Sequence, residues 1–253
     1  MSYDLPATHR TPALIIYLID VSGSMCLPMG DKRRIDVVME ALSATIRQMI
    51  FRSTKGTRMS PRYRVAILAY SDEVYDLLDG IRGIDEVARL GKLPEISPRR
   101  LTDMAKAFKQ VEKLLLEELP FLQDSPAPLI CHMTDGAATG EDPEPVVKRI
   151  MQMAVPDGHV LVENIFISEE VCDGEMTDVK RWDGIMPDTI MIDEHANRLR
   201  SMSSVLPESY REMMSESMYQ LKKGALLMFP ATSPELVSLG FQMSAATPFV
   251  KDR

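Results

Sequence analysis

Six apolar residues, Leu14 to Ile19, run without a charge and stop at Asp20. A run this short, rich in Ile and Leu and without polar interruption, has the pattern of a strand buried on both faces. Such strands belong to sheets covered by helices on both sides, so this one segment predicts an α/β architecture. Directly beyond it come Asp20, Ser22 and Ser24, with Gly23 between the serines. A buried strand that ends in an acid and two hydroxyls delivers oxygen donors to one point, and a hard divalent cation suits them.

The same pattern recurs at Arg64–Tyr70, Leu129–Met133 and His159–Ile167. Between these strands the period turns helical. Ile35, Val38, Met39, Leu42, Ile46, Met49 and Ile50 share one face, and Met104, Phe108, Val111, Leu115 and Leu119 share another after Thr102. Ser71-Asp72-Glu73 reads as a turn and Val74 to Leu78 as the antiparallel partner of the strand before it. Asp142-Pro143 predicts a helix start, with the helix running to about Ala154. Residues 52–62 read as a basic, turn-rich loop and 79–100 mostly as loop. Thr189 to Ile192 reads as a short strand, His195 to Met202 and Glu208 to Leu221 as helices, Ala225 to Phe229 as a last strand, and 230–253 as an extended tail packed on the body.

Strands alternating with helices predict a doubly wound, mostly parallel central sheet with one antiparallel edge strand and helices on both faces. The expected organisation is a tail over 1–12, one domain over 13–222 and a C-terminal extension packed on it over 223–253. In such folds ligands bind beyond the carboxyl ends of the strands. Asp20 and Asp135 both stand at predicted strand ends, so two distant segments aim polar groups at one edge of the sheet.

Composition narrows the function. A net charge of -8 counts against generic nucleic-acid binding. No apolar run approaches the ~18 residues that span a bilayer, and Met1 to Pro12 does not read as a secretory leader. Cys26, Cys131 and Cys172 lack metal spacing and predict reduced thiols in a cytoplasmic setting. His9, His132, His159 and His195 lack zinc spacing as well. Each candidate ligand also has a plain reading taken alone. Loop serines make local turns, Thr102 suits a helix N-cap, and Asp135-Gly136 is a common turn pair. Asn164, inside an apolar strand, reads as a satisfied buried amide. Lys32-Arg33-Arg34 and the bases from Arg52 to Arg64 read as solvated loops.

Taken together, Asp20-Val21-Ser22-Gly23-Ser24, a later Thr102 opening a helix, and Thr134-Asp135-Gly136 ending a strand resemble a known constellation. It is the metal-ion-dependent adhesion site of the von Willebrand factor A domain family, and the resemblance covers roughly 12–222. It implies a Rossmann-like fold in which Ser22 and Ser24 bind Mg²⁺ directly. Thr102 would bind directly or through water, and Asp20 and Asp135 mostly through water. Mn²⁺ or Ca²⁺ would be the alternatives. An inner shell of hydroxyls and waters leaves the ion much of its charge, to attract an acidic oxygen from a partner. The chain is similar to bacterial cytoplasmic members of tellurium-resistance and related stress or conflict operons. That implies an adaptor or scaffold without enzymatic activity. It would bind a Glu or Asp of a protein such as a kinase, a PP2C-type phosphatase or a MoxR-type ATPase, and neither nucleic acid nor membrane. One departure is that Arg99-Arg100-Leu101 precede Thr102, where the family often has Gly. Two alternatives remain. One is a Mg²⁺-dependent phosphohydrolase, though Ser22 stands where a second Asp would be needed and no phosphate loop or nucleophile elbow is present. The other is a structural subunit with an empty metal site.

Overall fold

The structure, a computed structural model, describes residues 2–99, 101–136, 139–168, 178–192 and 194–248. Arg100 and Cys172 lie outside the described residues.

The opening strand, β1 (Ala13–Asp20), is buried along its whole length. It is followed by α1 (Arg34–Arg52), β2 (Tyr63–Tyr70), β3 (Val74–Asp76), β4 (Arg82–Gly83), α2 (Ile84–Leu90) and α3 (Met104–Glu118). Then come β5 (Leu129–Thr134), α4 (Glu144–Gln152), β6 (Leu161–Phe166), α5 (Glu194–Ser201), α6 (Glu208–Glu216), β7 (Met228–Pro230) and α7 (Pro234–Ser244). One seven-stranded sheet has the order β7-β6-β5-β1-β2-β3, with β4 also pairing with β2. The pairings among β7, β6, β5, β1 and β2 are parallel. β3 and β4 run antiparallel to β2.

Alternation along β1 divides the interior in two. Ile15, Tyr17 and Ile19 join α1 and α7 through Ile35, Val38, Leu42, Leu236 and Phe241. Leu14, Ile16 and Leu18 join α3, α4 and α5 through Phe108, Val111, Val147, Ile150 and Leu199. A strand with both faces inside is why the run carries no charged residue before Asp20. After β2 the chain returns across β1 to place β5 on its other side. The switch point therefore lies between the carboxyl ends of β1 and β5, where Asp20 and Asp135 sit.

Several expectations change. Within 79–100, expected mostly as loop, the chain forms β4 and α2, where the Gly83 N–H donates to Glu86 Oε2 at 2.8 Å. Thr102 does not cap α3. Asp103 does, accepting from the Lys106 N–H at 2.9 Å. Residues 189–192 form no named strand, and Ile190 and Ile192 are exposed. The stretch read as an extended tail contains α7, opened by Ser233, whose side chain accepts from Leu236 N–H, with Pro234 in the first turn. Residues 54–59 form a small hairpin, Thr54–Lys55 against Arg58–Met59.

Candidate metal centre

The Asp20 carboxylate is fully buried and already half engaged. Its Oδ1 accepts the Ser22 backbone N–H at 2.8 Å, which fixes the turn after β1. Its Oδ2 accepts the Thr134 hydroxyl at 2.7 Å, a bond from the end of β5 to the end of β1. Burial pushes the Asp20 carboxyl up to about 6, the nearby Asp135 charge adds to the rise, and the bonds from Ser22 and Thr134 oppose it. Ser22 begins the short 3-10 turn Gly23–Cys26, and its hydroxyl stands 3.0 Å from that of Ser24. The two oxygens are thus neighbours, as a shared ligand requires.

Asp135 follows β5 directly. Its side chain is 4% exposed, its Oδ1 is buried with no hydrogen-bond partner, and its Oδ2 faces the Arg34 guanidinium at 3.5 Å. Next comes Gly136, with φ at +88°. A Cβ there would lie 2.5 Å from the Phe166 ring and 2.8 Å from His195 Cβ, so only glycine lets the chain turn away here.

Thr102 is buried, and because Asp103 caps α3, its hydroxyl is not spent on the helix. Its backbone is bound to the segment after Asp135. The Thr102 N–H donates to the Thr139 hydroxyl at 3.1 Å, and Thr102 O accepts from Thr139 N at 2.8 Å and Thr139 Oγ1 at 2.9 Å. Arg99 N donates to Val21 O at 2.6 Å, and Asp103 N to Ser71 O at 2.7 Å. A Cβ on Gly23 would lie 3.4 Å from Arg99 O. The three loops that carry Asp20, Thr102 and Asp135 are therefore stitched together by backbone bonds. The Arg99 side chain stacks over the Tyr75 ring at 4.4 Å.

The donor set is hard oxygen, with hydroxyls and only two carboxylates. The described residues hold no group of three or more His, Cys, Asp or Glu that would make a soft or acid-rich site. A hydroxyl pair, a buried acid and an orphaned carboxylate oxygen fit a small divalent cation bound partly through water.

Behind the centre lies a polar chain that sequence reasoning did not assemble. His132 Nε2 meets the Tyr70 hydroxyl at 2.8 Å, and its Nδ1 meets Asn164 Oδ1 at 2.7 Å. The Asn164 amide donates to Met202 O at 3.1 Å and Ser203 Oγ at 2.9 Å, which turns its oxygen to the ring. His132 therefore carries its proton on Nδ1 and accepts from Tyr70 on Nε2. Burial pushes the imidazole down to about 4, against a smaller upward pull from Asn164. The buried amide expected at Asn164 is satisfied.

Residues 15–137 match the model of the von Willebrand factor type A domain. No curated protein matches the chain. Among solved structures, BatB from Bacteroides thetaiotaomicron superposes with a TM-score of 0.53 at 12% identity, over 92% of this chain and 98% of that one. The SpRpn10 VWA domain gives 0.53 at 14% identity, over 96% of this chain and all of that one. Proximal thread matrix protein 1 from the mussel byssus, with a zinc-occupied MIDAS motif, gives 0.50 at 14% identity, over 92% and 47%. At such identities the shared property is the fold: an α/β domain of the von Willebrand type, with a mostly parallel sheet. No helix of the described residues is long and apolar enough to cross a membrane.

Proposed function

We propose that this chain, with its von Willebrand type A match and fold, is a non-enzymatic protein-interaction module. It would hold Mg²⁺ on Ser22, Ser24 and Thr102, with Asp20 and Asp135 acting mainly through water. The observation that carries the reading is the pair of touching hydroxyls beside buried Asp20, with Asp135 Oδ1 buried and unpartnered on the adjoining strand end. An orphaned carboxylate oxygen costs roughly 1–3 kcal/mol or more unless something bonds it. The zinc-occupied motif named for the mussel protein supports a metal here.

Each residue has a defined task in this reading. Asp20 spends its oxygens on Ser22 N–H and Thr134, so it shapes the turn and holds Ser22 and Ser24 in place. Ser22 and Ser24 offer neutral oxygens that leave the ion's charge undiminished. Bound there, the metal supplies an electrophilic corner for a Glu or Asp of a partner protein. The adaptor role in a bacterial cytoplasmic stress system belongs to the same proposal.

Titration calorimetry of MgCl₂ into chelator-treated protein tests it. We expect saturable binding at millimolar or lower concentration, lost in Asp20→Ala and in the Ser22→Ala/Ser24→Ala double variant. Absence of binding by the folded wild type would end the metal reading. Turnover of phosphate esters, abolished by Asp20→Asn, would replace it with the phosphohydrolase.

Arg34 gives a second expectation. Its guanidinium already answers the Asp135 charge, and an arriving divalent ion must share that carboxylate with it. Fixed like charges within several ångströms shift charge equilibria by about ten- to a thousandfold. Discounted for solvent, Arg34→Gln should tighten Mg²⁺ binding by about tenfold. An unchanged or weaker affinity would show that the arginine does not compete.

A further inference from the structure

Just before α5 the chain holds two isoleucines in solvent. Ile190 is 80% exposed and Ile192 56%, while Met191 between them is buried with Ala196 and Leu199 in the core beneath α5. This is the in-and-out alternation of extended chain. The segment is braced. Thr189 N–H donates to Met186 O at 3.0 Å, Met186 N–H donates to Thr189 Oγ1 at 2.8 Å, and the Arg200 guanidinium holds the Thr189 carbonyl. Acids stand on either side, Asp188 and Glu194, both exposed and without an ion pair among the described residues. A fixed apolar pair rimmed by charge has the character of a contact surface.

A complementary surface lies on the other face of the sheet. There α1 and residues 91–98 enclose an open groove of about 530 Å³. Its apolar lining is Met39, Ile46, Ile50, Val87, Leu93 and Ile96. Ile46 and Val87 are buried, and the other four are half-buried, with apolar surface left uncovered. Arg33 and Lys92 also line the groove, but each is matched inside it, by Asp36 and Glu95. Arg47 is exposed and has no ion pair among the described residues. The groove therefore suits apolar side chains accompanied by one acid.

We infer that the Ile190–Ile192 segment of one molecule seats in the α1 groove of a second copy of this chain, so that the protein self-associates. The two isoleucines cover the half-buried lining, and a flanking acid answers Arg47. Removing the isoleucines from water drives the contact, and the opposite charges set its register. Met191 belongs to the core on one face of the sheet, and Ile46 and Val87 to the core on the other. A chain therefore cannot fill its own groove with its own isoleucines, and the two halves meet only between molecules. The contact is small, which makes the association reversible. The inference stands without the metal reading.

The test is sedimentation velocity of the full chain in buffer with chelator, from roughly 1 µM to 1 mM. We expect the mean mass to rise with concentration in the wild type. Association should weaken at least tenfold in Ile190→Ser/Ile192→Ser, which spoils the segment, and in Met39→Asp/Arg47→Glu, which spoils the groove. Mixing the two variants should restore association as a 1:1 pair, because one brings an intact groove and the other an intact segment. A circular-dichroism melt checks that both are folded, and Arg47→Glu alone, at an exposed position, replaces the groove variant if it is not. A wild type that stays monomeric throughout would overturn the inference. So would a folded variant that associates like the wild type, or a mixture that stays monomeric.

Discussion

His132→Ala should lower the stability of the fold by about 4 kcal/mol, because it orphans the Tyr70 hydroxyl and Asn164 Oδ1, each costing roughly 1–3 kcal/mol, and leaves a cavity as well. Both partners are fully buried, so water cannot readily take the ring's place. The pH dependence carries a second signature. The imidazole ordinarily titrates near 6.5 and is held down to about 4 in the fold. Between those values the unfolded chain binds a proton that the folded one refuses, so stability is complete above 6.5 and lost as the pH falls toward 4. The slope is about 1.4 kcal/mol per pH unit. Asp20 and Glu163, both raised, oppose this slope in the wild type, so it is read as a difference. In denaturant melts from pH 7 to pH 4 the stability gap between wild type and variant should narrow by that amount per unit. Equal stability of the two proteins at pH 7 would mean that the bonded chain contributes nothing.

Glu163 is expected to behave in the opposite sense. It lies on β6 opposite Cys131 on β5, which lies opposite Tyr17 on β1, so three polar side chains share one row beneath α7. Tyr17 bonds Ser244 at 2.9 Å, whereas both carboxyl oxygens of Glu163 are buried and without a hydrogen bond. Burial raises this carboxyl well above its usual 4.5, and the Cys131 thiol beside it only partly offsets the rise. Above 4.5 the unfolded chain has released a proton that the folded one keeps, so this site's stability falls as the pH rises toward the folded value. Glu163→Met fills similar volume without a polar atom. It should stabilise the protein by about 1–3 kcal/mol at neutral pH, with the gain growing from pH 4.5 upward. A constant or shrinking gain, or a loss, would show that the carboxyl has a partner worth keeping.

How much of this was legible in the sequence depended on whether a segment's surroundings were local. β1, β2, β5 and β6 declared themselves because a strand buried on both faces is an unbroken apolar run. α1 and α3 declared themselves because each shows one apolar stripe. α7 did not, since Leu236, Val237, Leu239, Phe241 and Met243 spread over most of its circumference and leave only the narrow strip Glu235, Ser238 and Gln242 to mark a period. Its Ser233-Pro234 start was present and went unread. α2 is too short for a period, and only Gly83 with Glu86 announced it. Ile190 and Ile192 suggested a strand, but both side chains are exposed and only Met191 between them is in a bridge.

The candidate centre divides in the same way. Asp20, Ser22 and Ser24 lie within one short turn of the chain and could be read at once. Asp135 was legible from its place at a strand end, Thr102 entered through resemblance, and the structure ties their segments together through Thr139. The Arg34–Asp135 contact joins residues 101 positions apart. The His132 chain depends on the register that sets His132 beside Asn164, which no local pattern records.

The sheet's two margins have a consequence for how other proteins can attach. One margin is three residues long and ends in Pro230, which has no N–H to offer, and the other consists of two antiparallel fragments, Val74–Asp76 and Arg82–Gly83. Neither gives a foreign chain enough unpaired backbone to zip alongside. Strand addition is thereby closed off as a mode of attachment, and the same bluntness guards the molecule against self-templated fibre growth.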